Sequence, residues 1–189
     1  MSRILPALAL LSAFALTSCE SVDVPFLAKK VILQCPDYFI LEDAATLTKF
    51  IDGKGRDLTD IDFKAKMGEM QLVCITDVDP ETDSGNMTIE VSPIIAAEMG
   101  PANTTDAAIL PYFVVITDPD KKILYREELS ITVSFSGNRT QIIVAAKPTA
   151  VEIPITPSIR NNYYRVYSGF ELTREQVEQN RKAIRDQLQ

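Results

Sequence analysis

The chain has 189 residues, with 19 lysines and arginines against 26 aspartates and glutamates, a net charge of −7. An acidic chain without a basic patch argues against nucleic acid as a partner and against electrostatic adhesion to anionic lipid. There is no histidine, so the commonest general base and transition-metal ligand is missing, and Ser-His-Asp or Cys-His chemistry cannot arise within the chain.

The first element is MSRILPALALLSAFALTS, residues 1–18, with one early cation, Arg3, and then an apolar run. That run falls short of the roughly 20 residues that span a bilayer, and it ends in small residues, the pattern of a secretory signal. Leu16-Thr17-Ser18-Cys19 closes it. Over residues 1–20 the sequence resembles the lipobox of bacterial lipoproteins. The resemblance implies cleavage before Cys19, a thioether from Cys19 to diacylglycerol and acylation of the new amine, for example with palmitate. Glu20, rather than Asp, follows the cysteine, which by the enteric sorting rule implies the outer membrane, facing the periplasm. The other reading is an ordinary signal peptide with a stray cysteine. Two or more acyl chains anchor a protein stably without a transmembrane helix. Residues 19–29 then form a short lipidated tether.

Two cysteines remain, Cys35 and Cys74. In an exported chain an even remainder suggests one disulfide, the alternative being two buried free thiols. No cofactor is expected, because two thiols without histidine do not make a zinc site.

From residue 30 to 171 the chain reads as strands. KVILQCPDYFIL, 30–41, is β-branched and aromatic, and Pro36 makes it an edge strand, a bulge or two strands. Residues 44–50 are a weaker strand with a helical alternative over 42–50. Asp60–Met67 alternates strictly, with Ile61, Phe63, Ala65 and Met67 on one face. Gly68-Glu69 suggests a hairpin or bend before a second strand, 70–76. Further strands are expected at 87–91, 109–117, 122–135 (one or two), 141–146, 151–155 and 163–170. Together they predict an all-β, antiparallel immunoglobulin-like β-sandwich, its core over 70–170 and extra N-terminal strands over 30–68. The mature part resembles proteobacterial envelope lipoproteins built on such a sandwich, a likeness that carries no function with it.

The acidic run at 77–86 offers a calcium reading: Asp79, Glu81, Asp83 and Glu90 fall at positions 1, 3, 5 and 12 of an EF-hand template. Ser84 stands where that template needs glycine, so a solvated loop is the competing reading. Tyr163, Arg165 and Tyr167 alternate with core-type residues, and aromatics with arginines are enriched at interfaces. Residues 172–189 predict a surface helix, with a Thr173–Gln176 capping box, a Leu172–Val177 staple and a thin apolar stripe of Val177, Ile184 and Leu188.

The function expected from these features is that of a non-enzymatic, membrane-tethered module docking another envelope protein through the C-terminal segment. The alternative is a small-ligand carrier or a carboxylate-based hydrolase.

Overall fold

The structure, a computed structural model, describes residues 33–53, 55–158 and 164–188. The signal segment 1–18, Cys19, the tether 19–29 and Tyr163 lie outside the described residues. Nine strands and one helix follow in order: β1 Asp37–Ile40, β2 Thr46–Phe50, β3 Ile61–Asp79, β4 Ser84–Met99, β5 Ala107–Thr117, β6 Ile123–Ser134, β7 Gln141–Ala145, β8 Thr149–Ile155, β9 Arg165–Phe170 and α1 Arg174–Gln187. Short 3-10 turns, Glu42–Ala44 and Leu58–Asp60, stand on either side of β2. Among the described residues no helix is long and apolar enough to cross a membrane.

The strands form two sheets, as an all-β sandwich with one C-terminal helix requires. One has the order β1-β9-β5-β6; the other has the order β2-β3-β4-β7, with β8 also on β4. The pairings are antiparallel except for β1 on β9, which is parallel. The core lies between the sheets, where Met87, Ile89, Ile95, Leu110, Val114, Ile116 and Val166 are fully buried. No boundary near 68–70 separates an immunoglobulin-like core from a lead-in, because β3 runs unbroken through that point.

The expected hairpin or bend at Gly68-Glu69 is a β-bulge inside this 19-residue strand. Met67 pairs with Ile95 and Glu69 with Ile94, leaving Gly68 as the extra residue. The physical reason is parity. Met67 and Met70 are both buried, at 2% and 3% exposure, but three positions apart they would face opposite sides of a regular strand. One added residue re-phases the alternation, so Leu72 and Cys74 also turn inward against the core.

β4 also exceeds its expected span, continuing through Pro93 to Met99. A proline in a central strand lacks a ladder donor. Here β7 pairs with Ile94–Glu98 and β8 with Gly85–Val91, so Pro93 falls between them. Its carbonyl accepts from the Ala146 amide at 2.8 Å, and the Ser92 hydroxyl donates to the Ala146 carbonyl at 2.6 Å, closing the gap.

The disulfide is present: Cys35 and Cys74 are bonded, with Cα atoms 5.6 Å apart. It ties the lead-in to β1, an edge of one sheet, to β3 of the other.

On the inner side of edge strand β6, the Tyr125 hydroxyl donates to the Glu127 carboxylate. A carboxylate turned inward on an edge strand discourages pairing with another chain. Burial first, then this hydrogen bond and the Glu127 charge, push the Tyr125 phenol up to about 12. Tyr112 and Tyr164 are raised too, each by burial first and then by the charge of Glu127 and of Asp118 respectively. Raised phenols favour the neutral folded state. Their stabilisation is complete below the unfolded value of about 10 and is lost as pH climbs through the folded values. The melting temperature should therefore fall between about pH 10 and 12, and less steeply in Tyr125→Phe. Ultraviolet titration should show part of the tyrosine absorbance lagging; a single step near pH 10 would contradict this burial.

Candidate interaction surface

Arg165 and Tyr167 share the outer face of the four-stranded sheet. Parallel pairing sets Asp37 beside Arg165 and Phe39 beside Tyr167. The Arg165 guanidinium donates to the Tyr164 carbonyl at 2.9 Å and lies 3.8 Å from the Asp37 carboxylate. Phe39 stacks on Tyr167 with ring centroids 5.5 Å apart. The two predicted residues are thus largely engaged within the domain. What faces water beside them is Phe39, at 44% exposure, with Leu41 at 38% just past the end of β1; Tyr38 pairs with Val166 and points to the opposite face. β1 is not among the site residues expected from the sequence. The sequence signal for it is the DYFIL run directly after Pro36, which carries Phe39 on a strand that proline marks as an edge.

Behind Tyr167, Phe113 and Val115 are buried under Ala44 and Leu172. This cover depends on Gly169, since a Cβ there would stand 2.8 Å from that of Ala44 and 3.2 Å from the Phe113 ring. The Arg126 guanidinium sits 5.2 Å from the Phe113 ring centroid and pairs with Glu171 at 2.6 Å. The alternate face of β9 is core, as its alternation predicts, with the Tyr164 hydroxyl donating to the Pro154 carbonyl at 2.6 Å.

The helix begins as expected. The Thr173 side chain accepts from the Gln176 amide at 3.3 Å, and Gln176 Oε1 accepts from the Thr173 amide at 2.9 Å. Its docking differs from an apolar stripe on the sandwich. None of its residues is fully buried; Val177 and Ile184 are half-buried and Leu188 is 82% exposed. The contacts are polar. Gln176 Nε2 donates to the Thr48 carbonyl at 3.2 Å, and Asn180 Nδ2 to the Thr46 and Asp43 carbonyls at 2.8 and 3.0 Å. Arg181 closes on the Asp43 carboxylate at 2.6 Å. Ile184 shares a groove of about 330 Å³ with Leu41. Leu41, just past the end of β1, thus links the exposed Phe39 to a groove whose other walls are Glu42, Asp43, Arg181 and Arg185. Val177 does not line that groove, and Leu188 projects from the far end of the helix.

The four calcium candidates are not brought together. Asp79 ends β3, Glu81 and Asp83 lie in the turn to β4, and the Asp79 carboxylate accepts from the Glu81 amide at 2.8 Å. Glu90 sits within β4 opposite Val73, six residues past Ser84, or about 20 Å along the strand. Among the described residues no three His, Cys, Asp or Glu side chains could hold a metal ion.

An open, mainly apolar cleft of about 640 Å³ lies between β2 and β5 and contains two acids, Asp62 and Glu171. Both are engaged, Asp62 by Asn103 at 2.7 Å and Glu171 by Arg126 at 2.6 Å.

No protein-family model, curated protein or solved structure matches the chain significantly. Fold and surface together define a class: a disulfide-linked two-sheet β-sandwich with a buried apolar core, an aromatic edge strand and one polar-docked helix.

Proposed function

We propose that this chain is a lipid-anchored, non-enzymatic interaction module of the bacterial envelope, held at the outer membrane through Cys19 and facing the periplasm. The observation that carries the docking part is the exposed Phe39 on edge strand β1, stacked on Tyr167 and followed by the exposed Leu41. Large aromatics at an edge supply contact area at low conformational cost, and such residues are enriched at binding surfaces. The anchoring part rests on Leu16-Thr17-Ser18-Cys19. The Cys35–Cys74 bond supports an oxidising compartment. The partner is another envelope protein that buries the Phe39–Leu41 surface.

The test combines two readouts. Cys19→Ser should abolish palmitate labelling and release the protein from membranes or leave it uncleaved. In the labelled protein, Phe39→Ala with Leu41→Ala should remove envelope crosslinks while the melting temperature changes little. An unlabelled, soluble wild type would overturn the anchor. Undiminished crosslinks in the double variant would overturn this surface.

A further inference from the structure

β2 is an edge strand, and α1 covers that edge in an unusual way. The carbonyls that receive the Gln176 and Asn180 amides belong to Thr48 and Thr46, alternate residues of β2. In an antiparallel edge strand, alternate residues turn both backbone polar groups away from the ladder. The spacing matches. Four helical residues rise about 6 Å, and two strand residues span about 6.7 Å. Two side-chain amides one helical turn apart therefore cap successive outward carbonyls, and Asp43 fixes the register through Arg181 and Asn180. No apolar side chain of α1 is fully buried, so the helix is held mainly by surface hydrogen bonds and two exposed ion pairs, Arg181–Asp43 at 2.6 Å and Glu175–Arg56 at 3.9 Å. Each such contact is weak in water, and a 14-residue helix is marginal without packing.

We infer that α1 is a detachable cover over the β2 edge, and that the edge it guards pairs with β2 of a second copy of this chain when the cover lifts. The sequence of β2, TLTKF, fits antiparallel self-pairing about Thr48. Thr48 then meets its own copy, Leu47 meets Lys49, and no like charges stand opposite one another. An uncovered edge with that pattern is a template for strand addition. The inference rests on backbone geometry and is independent of lipid anchoring.

The test uses the chain from Glu20, which keeps every described residue. In Gln176→Ala/Asn180→Ala/Arg181→Ala, hydrogen exchange of the α1 amides should accelerate at least tenfold. Sedimentation at physiological salt should show a concentration-dependent dimer absent from the wild type. Adding Thr48→Pro, which removes an outward N–H and spares the β3 ladder, should restore the monomer while exchange stays fast. Wild-type protection of α1 in the triple variant would overturn the cover. A persistent monomer with fast-exchanging α1, or a dimer that survives Thr48→Pro, would overturn β2 as the pairing edge.

Discussion

Replacing Cys35 and Cys74 with alanine should lower the melting temperature by about 10 °C and leave a folded sandwich. The bond closes a loop of 39 residues. In the chain-entropy model such a loop contributes about 4 kcal/mol by restricting the unfolded chain. For a domain of this size each kcal/mol moves the midpoint by roughly 2–4 °C. The denaturant slope should rise too, because the uncrosslinked chain exposes more surface on unfolding. Native protein should resist alkylation until it is reduced. A shift under about 2 °C would mean that the crosslink constrains little in the unfolded state.

The bond also bears on the proposed surface. β1 has four residues and a single neighbour strand, β9, among the described residues. Without the crosslink that short ladder, the Phe39–Tyr167 stack, the Asp37–Arg165 ion pair and the packing of Ile40 on the core are left to position it. The double alanine variant should therefore lose envelope crosslinks through Phe39 at temperatures where the sandwich is still folded. Stability and docking separate in this variant, and local exchange at β1 would show it.

How much of this the sequence reveals depends on where each structural cause sits. Ile61–Met67 is legible because strict alternation is a side-chain property. The continuation of β4 beyond Val91 is not: Pro93 argues against a central strand, and what makes it tolerable is a gap between β7 and β8 on its far side. The helix start is legible through Thr173 and Gln176. The docking is not, because its targets are the carbonyls of Asp43, Thr46 and Thr48, and every residue has a carbonyl. The same limit applies to the candidate surface. Arg165 and Tyr167 stand out by type, yet a parallel neighbour 128 positions earlier covers them, and only pairing shows that Phe39 is the exposed member.

Deleting Lys64 should abolish folding, whereas deleting Gly68, four residues away on the same strand, should leave the sandwich intact. Both remove one residue from β3, and period two decides the difference. Without Lys64, either Ile61 and Phe63 turn outward, or Gly68 is drawn into the ladder and Ala65 and Met67 turn outward while Lys66 turns into the core. In the first case, Ile61 and Phe63 leave a core in which they are 4% and 6% exposed. That forfeits about 1.5–3 kcal/mol for each. Asp62 turns inward at the same time and loses its hydrogen bond from Asn103, adding several kcal/mol unless the carboxyl is neutralised. Against typical stabilities of about 5–15 kcal/mol the fold should not survive. Without Gly68 the alternation becomes regular: Met67 inward, Glu69 outward, Met70 inward. Only the extra, unpaired residue is gone. Gly68→Ala should also be nearly neutral, since a Cβ there meets nothing within 4 Å. Circular dichroism and thiol alkylation would read all three variants, with free Cys35 and Cys74 reporting a β3 that has lost its register. If the Gly68 deletion unfolds the protein as thoroughly as the Lys64 deletion, the bulge does more than correct parity: its added twist is then what brings the second half of β3 over the opposing sheet.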